Sequence, residues 1–131
     1  KGCRGNYPRL SSLIKKAPFF PDYKNERSMI YIENLCEFLR LLIDRLQPGL
    51  HFPQNTEYVS TSDLACLVAD CAGKKLLCSK AFNFPVSMGI GVVGTLQKVF
   101  GTLVYDKSMS GDLSSYNICT FAQSVLRSEE K

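Results

Sequence analysis

Three groups of residues in this sequence have types and spacings that could support chemistry. GIGVVG, at residues 89–94, has the G-x-G-x-x-G spacing of loops that cradle the pyrophosphate of a dinucleotide. Arg27 follows a polar turn, and an arginine there can hold two phosphate oxygens with its planar guanidinium; pairing with Glu26 or Asp22 on the surface is the structural alternative. The third group is a set of six cysteines, which could bind a metal or form disulfides.

The GIGVVG pattern lacks the context that a dinucleotide site needs. A buried strand should lead into the first glycine, but Pro85 lies there and cannot donate a hydrogen bond to a central strand ladder. Asp106 and Asp112 lie at roughly the distance of a ribose-binding carboxylate, yet no strand–helix–strand unit frames them. We therefore interpret residues 89–94 as a small-residue helix or a close-packed turn, and we expect no NAD at this segment.

The cysteines and the single histidine give little support to a metal centre. Cys66-x4-Cys71-x6-Cys78 contains no C-x2-C pair, and His51 is the only histidine of the chain. Several cysteines fall inside helix-like apolar patterns, where cysteine behaves as a small hydrophobic residue. We therefore expect no metal and reduced thiols. A secreted protein stapled by disulfides is the alternative.

The bulk composition indicates a single globular domain over residues 1–131. Apolar residues make up 45% of the chain and charged residues 21%, and no run is long enough to span a membrane. The net charge of +4 suits a small anionic ligand, and no dense basic tract indicates nucleic acid. Because the sequence begins KGCRGN, without methionine or a signal peptide, we expect a cytoplasmic protein cut from a longer chain.

The patterns of apolar and turn residues predict a mixed α/β fold, with a small sheet of short strands packed against helices. Helices are expected at 7–17, at 35–46, from Ser60 or Thr61 to Gly73, in glycine-broken segments over 84–101, and after a Thr120-x-x-Gln123 capping box. Extended segments are expected at 18–21, 28–32, 50–52, 75–78 and 103–105.

The segment around Arg27 resembles a motif of a known family. RSMIYIEN, at residues 27–34, is similar to the Arg-Asp-Tyr/Phe-(Ile/Val)-(His/Tyr)-Val-x-Asp stretch of extended short-chain dehydrogenases, the NAD-dependent sugar-nucleotide epimerase/dehydratase family. Arg27 falls on the family arginine, Tyr31 on the His/Tyr position and Asn34 on the aspartate before the helix. Residues 2–8 resemble the loop that enters the family's substrate domain, residues 52–55 a segment before its next helix, and residues 105–123 its closing region.

The resemblance runs along the whole chain and is nearest to UDP-glucose 4-epimerase-like proteins. It implies the C-terminal substrate-binding part of such an enzyme, with a UDP-sugar as ligand. Arg27 would neutralise the diphosphate, Asn6 would contact it, and Lys98 is the nearest candidate for a second basic ligand. The resemblance places the base beside Phe19 and Phe20, although plain core is the favoured interpretation of both rings.

The departures from the family limit what this chain can do alone. Ser28 and Asn34 replace acidic residues, and Tyr116-Asn117-Ile118 stands where a Trp-Arg/Lys-Pro sequence is usual. None of the six tyrosines has a lysine four positions later, and the NAD-binding Rossmann domain is missing. The resemblance therefore implies a chain that is inactive alone, whose partners are a UDP-sugar and the missing Rossmann domain, which would bind the NAD. We expect self-association through apolar surface left exposed without that domain. The alternative function is a non-enzymatic protein- or nucleic-acid-binding module.

Overall fold

A computed structural model describes residues 5–46, 48–112 and 115–130. Within these residues the chain is a mixed helix–strand fold with six α-helices and one two-stranded parallel sheet. Their bounds are α1 Asn6–Lys16, β1 Phe19–Pro21, α2 Ile32–Asp44, α3 Thr61–Cys71, β2 Leu77–Ser79, α4 Asn83–Ile90, α5 Gly94–Phe100 and α6 Phe121–Glu129. Short 3-10 turns occupy Lys80–Phe82 and Lys107–Ser110. No described helix is long and apolar enough to cross a membrane.

Helix α3 forms the centre of the fold because it is apolar on several faces. Leu64, Ala65, Val68 and Ala69 are buried, and α1 and α6 pack against α3. The Ser60 hydroxyl accepts a hydrogen bond from the amide of Asp63 and so caps the first turn. Of the two predicted caps, the structure therefore selects Ser60.

The predicted helix ends are confirmed where a capping residue determines them. Gly73 has φ +65° after α3, a left-handed conformation that glycine adopts without steric cost. At α6, the Thr120 hydroxyl accepts from the Gln123 amide while the Gln123 side chain accepts from the Thr120 amide, which is the predicted capping box. Helix α2 ends at Asp44, two residues before the predicted end, and Leu46 has φ +48°.

The sheet is smaller than predicted. β1 pairs in parallel with β2, with Phe20 opposite Cys78, which confirms extended chain at 19–21 and moves the strand expected at 75–78 to Leu77–Ser79. The strands predicted at 28–32 and 50–52 do not form. At 28–32 the main chain bonds to scattered partners, for example Asn55 N to Met29 O at 2.7 Å, so no continuous ladder develops.

Two isolated bridges hold the irregular segment that begins at Arg27. Its backbone pairs with Val59 in antiparallel and with Leu103 in parallel geometry. At 50–52, Ser110 Oγ donates to Phe52 O at 2.7 Å, and Pro53 then offers no amide donor for a strand ladder. Isolated backbone bridges at the first position and a side-chain hydrogen bond at the second thus replace a continuous strand ladder.

Candidate functional site

The Arg27 side chain is held at the C-terminal end of α5. Its Nη1 atom lies 2.7 Å from the carbonyl oxygen of Lys98, 3.3 Å from that of Val99 and 3.1 Å from that of Gly101. Carbonyls at a helix C-terminus lack intrahelical partners and carry partial negative charge, so a guanidinium there is favourable. Arg27 therefore fixes the end of α5.

The same contacts leave one edge of the guanidinium for another ligand. All hydrogen bonds that the Arg27 side chain makes within the described residues use Nη1, so Nε and Nη2 meet no protein acceptor there. A guanidinium carries five N–H donors, and one edge is enough for a two-pronged contact with phosphate or carboxylate oxygens. Arg27 is half-buried, so its position is constrained while this edge stays accessible.

Aromatic residues divide into core and surface on the same side of the molecule. Phe20 is 4% exposed and packs against Phe100 with ring centroids 5.7 Å apart, so it belongs to the core. Phe19 is 49% exposed and stacks on Phe82 at 4.6 Å with an interplanar angle of 11°. Of these two rings, Phe19 is the one that offers surface to a ligand. Lys98 is exposed and lies in the last turn of α5.

Tyr31 belongs to a different cluster, centred on Glu33. The Tyr31 hydroxyl donates to Glu33 Oε1 at 3.1 Å, the Cys119 thiol lies 3.4 Å from Oε2, and Arg127 pairs with the same carboxylate. The hydrogen bond from Cys119, with those from Tyr31 and Arg127, lowers the pKa of Glu33 against the opposing effect of desolvation. Burial and the Glu33 carboxylate raise the pKa of both Tyr31 and Cys119. Each of these polar groups therefore has a hydrogen-bond or charge partner within the cluster.

A cavity of about 340 Å³ lies beside this cluster. Tyr31 and Tyr7 line it together with Phe121 and the buried Val125. Asn6, the residue before Tyr7, is the exposed first residue of α1. The structure thus places Asn6 and Tyr31 near one cavity, and Arg27, Phe20 and Lys98 around α5. Segment 27–31 joins the two groups, and four residues span at most about 14 Å.

A buried acid near the chain end is a feature that the sequence patterns did not predict. Glu129, whose side chain is 6% exposed, accepts hydrogen bonds from Tyr7 at 2.7 Å and Ser11 at 3.0 Å and pairs with Lys15 at 2.5 Å. Burial opposes its ionisation, but these partners lower its pKa below the ordinary value. Burial, and then Glu129 itself, raises the pKa of Tyr7. The cluster ties α1 to α6.

Buried amides form a second unpredicted feature. Asn34 is fully buried; its Nδ2 donates to Asn55 Oδ1, Asn117 Oδ1 and the carbonyl of Cys119, and its Oδ1 accepts from the Cys119 amide. Gln54, 1% exposed, receives a 2.6 Å bond from Ser28. We call this set the amide network, formed by Ser28, Asn34, Gln54, Asn55, Tyr105, Ser110, Tyr116, Asn117 and Cys119.

The GIGVVG segment joins two helices. Gly89 lies in α4, a turn follows, and Gly94 begins α5, so the segment that enters the first glycine is a helix instead of a strand. A Cβ atom at Gly89 would lie 2.4 Å from Leu96 Cδ1, so this glycine allows a close approach of α5. The predicted close-packed, helical interpretation is confirmed. These residues do not fit the pyrophosphate of NAD.

Residues 2–4 of the predicted entry loop, including Cys3, lie outside the described residues. The five described cysteines are unbridged. Among the described residues, no group of three or more His, Cys, Asp or Glu side chains is placed to hold a metal ion.

Comparison of the chain with protein-family models, with curated proteins and with solved structures finds no match in any of the three. Any functional assignment therefore depends on the sequence motifs and on the geometry described above.

Proposed function

We propose that this chain is the substrate-binding part of an NAD-dependent nucleotide-sugar epimerase/dehydratase of the UDP-glucose 4-epimerase type, with a UDP-sugar as ligand. The observation that carries this proposal is the orientation of Arg27. Its Nη1 is fixed by the carbonyls at the end of α5, and its other edge meets no acceptor among the described residues. A pre-positioned fork of this kind suits the diphosphate of a nucleotide sugar.

The surroundings of Arg27 support an anionic, aromatic ligand. Lys98 lies in the last turn of α5 and adds a second positive charge within the region. Phe19 presents a ring on which a base could stack, whereas Phe20 contributes only to the core. In this proposal Asn6 and Tyr31 contact the ligand from the cavity side of segment 27–31.

The convergence of the motif-bearing segments supports the proposal independently of Arg27. Residues 27–34, 52–55 and 105–117 are distant in sequence, yet the amide network joins all three. The proposal requires such packing, because the three segments must form one substrate-binding domain.

In this proposal the chain binds the substrate, and hydride transfer takes place on a separate NAD-binding domain. No tyrosine of the sequence is followed four positions later by lysine, the pair that would remove a sugar hydroxyl proton. The GIGVVG residues do not fit NAD, so no reaction step is assigned to them. NAD would bind to a Rossmann domain that this sequence does not contain.

Isothermal titration of the chain with UDP-glucose, UDP and NAD tests the proposal. We expect weak binding of UDP-glucose and UDP, no binding of NAD, and at least a tenfold loss with Arg27→Ala. Because Arg27 also holds α5, each variant is first compared by thermal melting. Arg27→Lys, which keeps the charge, and Arg40→Ala, which removes an exposed arginine paired with Glu37, are the controls. Equal affinity in wild type and in a folded Arg27→Ala would contradict the assignment.

A protein-binding module is the second candidate function, favoured by exposed apolar side chains. Leu46, Leu50 and Val92 are each more than 80% exposed, and such surface commonly mediates association. Sedimentation velocity over a range of chain concentrations tests it. Concentration-dependent dimers that persist with UDP-glucose present would favour this candidate.

A further inference from the structure

Two cysteines that the sequence spacing did not pair lie side by side. Cys66 on α3 and Cys78 on β2 have their Sγ atoms 3.0 Å apart. A disulfide bond is about 2.05 Å long, so the two sulfurs need to approach by only about 1 Å to bond. The elements that carry them are packed around the same core, because Leu67, the neighbour of Cys66, and Cys78 both contact it.

The pair can be reached from solvent. Both residues are partly exposed, and Cys66 lines a surface cleft of about 390 Å³ together with Tyr58 and Asp63. A small oxidant or thiol reagent can therefore enter beside Cys66, whose sulfur is in contact with that of Cys78.

The other described cysteines lack such a neighbour. Cys36 and Cys71 are exposed on their helices, and Cys119 is buried against Glu33. Among the described residues, Cys66 and Cys78 are thus the only pair in thiol–thiol contact.

We propose that Cys66 and Cys78 form a reversible dithiol–disulfide site that small-molecule disulfides oxidise. In the first step a Cys78 thiolate attacks the reagent disulfide, forms a mixed disulfide and releases one thiolate. Cys66, as thiolate, then attacks Sγ of Cys78, forms the Cys66–Cys78 bond and expels the second. The protein loses two electrons and two protons, and the reagent disulfide becomes two thiols.

The order of attack follows from the surroundings of the two sulfurs. Burial, followed by the contact with Cys78, raises the pKa of Cys66 to about 12, so Cys66 is a protonated thiol near neutral pH. Once Cys78 is capped in a mixed disulfide, its contribution to the raised pKa of Cys66 is removed, while the larger contribution of burial remains. Cys66 therefore acts second, on a sulfur that already lies in contact with its own.

The bond would fasten α3 to β2, and through the sheet to the strand that carries Phe19. The cysteines are twelve positions apart, a loop whose closure restricts the unfolded chain. We expect the melting temperature of the oxidised form to rise by about 5–10 °C. This inference stands independently of the nucleotide-sugar proposal.

Tryptic mapping after equilibration with oxidised and reduced glutathione tests the site. Trypsin cuts after Lys74 and Lys75, so Cys78 is released in a peptide separate from that of Cys66 and Cys71. After alkylation of free thiols, we expect a linked pair of these peptides in wild type and in Cys71→Ser, at yields within about twofold. Cys78→Ser should abolish the link, and a reductant should reverse it.

Phenylarsine oxide, which bridges two neighbouring thiols, gives a second measurement that needs no variant to be stable. We expect wild type and Cys71→Ser to bind one equivalent, with protection of Cys66 and Cys78 from alkylation. Linkage through Cys71, or mixed glutathione adducts at Cys66 and Cys78 without a bond between them, would overturn the proposal. So would persistence of both thiols at a redox poise that oxidises Cys36.

Discussion

The region around α3 and the α4–α5 region are built in different ways. Helix α3 buries most of its inner face, and the amide network beside it holds irregular chain through side-chain hydrogen bonds. Helices α4 and α5 each bury one side chain, Val86 and Phe100. Phe84 in α4 is 74% exposed, and Val92 in the turn between the two helices is 86% exposed. The second region is joined to the first by Arg27 and by Thr61, whose hydroxyl donates to the carbonyl of Val99.

This difference shows which contacts specify the arrangement of the chain in each region. In the α3 region, buried polar groups accept one arrangement of loops, because an unpaired buried amide costs free energy. In the α4–α5 region, few buried contacts fix the position of the helices, so that region should unfold more easily. The proposed ligand contacts at Arg27 and Lys98 lie where the two regions meet.

The largest expected effect is the loss of the amide at the centre of the network. Asn34→Ala removes four hydrogen bonds from a fully buried position, and we expect a cost of about 3 kcal/mol in the free energy of unfolding. Asn83→Ala is the matched control in α4, since Asn83 makes one side-chain hydrogen bond, to Asp22 O. Its cost should be about 1 kcal/mol. Urea unfolding compares them, and equal costs would remove the contrast between the regions.

Two glycine substitutions compare a clash with main-chain atoms, at the end of α5, with a clash against a side chain, where α4 and α5 meet. A Cβ at Gly101 would lie 2.4 Å from the main-chain oxygen of Gln97, whereas at Gly89 it would meet the flexible end of Leu96. We expect Gly101→Ala to cost about 2 kcal/mol and Gly89→Ala less than about 1 kcal/mol, because alanine also favours the helix. Thermal melting measures both. A larger loss of stability at Gly89 than at Gly101 would show that the Leu96 side chain cannot move aside and that the GIGVVG segment is tightly packed.

Acid should weaken the α3 region through Glu129. Its pKa is lower in the folded chain than in the unfolded chain, so its stabilising contribution is present above about pH 4.3 and is lost as pH falls through the folded value. Melting temperatures across this range should fall less steeply in Glu129→Gln than in wild type. Glu57→Gln, an exposed acid outside this cluster, is the control. Parallel curves for wild type and Glu129→Gln would contradict the assignment.

The smallest expected effect is at the start of α6. Thr120→Ala removes one half of the capping box and should cost about 1 kcal/mol, while Thr120→Ser should cost little because its hydroxyl can still accept from the Gln123 amide. Urea unfolding of the two variants checks this. Equal losses would assign the effect to packing of the threonine methyl group.

The sequence predicted those parts of the structure that depend on local chemistry. Ser60, Gly73 and the Thr120–Gln123 pair specify helix ends within a few residues, and Pro85 correctly argued against a strand before GIGVVG. The strand predicted at 28–32 was wrong because its main chain bonds to scattered backbone and side-chain partners that are distant in sequence. Alternating apolar residues carry no information about such partners.

The candidate site was predictable only in part for the same reason. Arg27 could be singled out by its motif, but its contact with the carbonyls of α5 depends on a pairing of residues about 70 positions apart. The exposure of Phe19 and the burial of Phe20 follow from which face of β1 meets the core. The Cys66–Cys78 contact likewise requires α3 to pack beside β2, which spacing alone does not indicate.

The most direct test of the proposed UDP-sugar site is an NMR titration of the ¹⁵N-labelled chain with UDP-glucose. We expect amide shifts to concentrate at Arg27, at Lys98 to Gly101 and near Phe19, and we expect NAD to produce no shifts at GIGVVG. Saturable shifts confined to GIGVVG, or the absence of any shift near Arg27 in the folded chain, would contradict it.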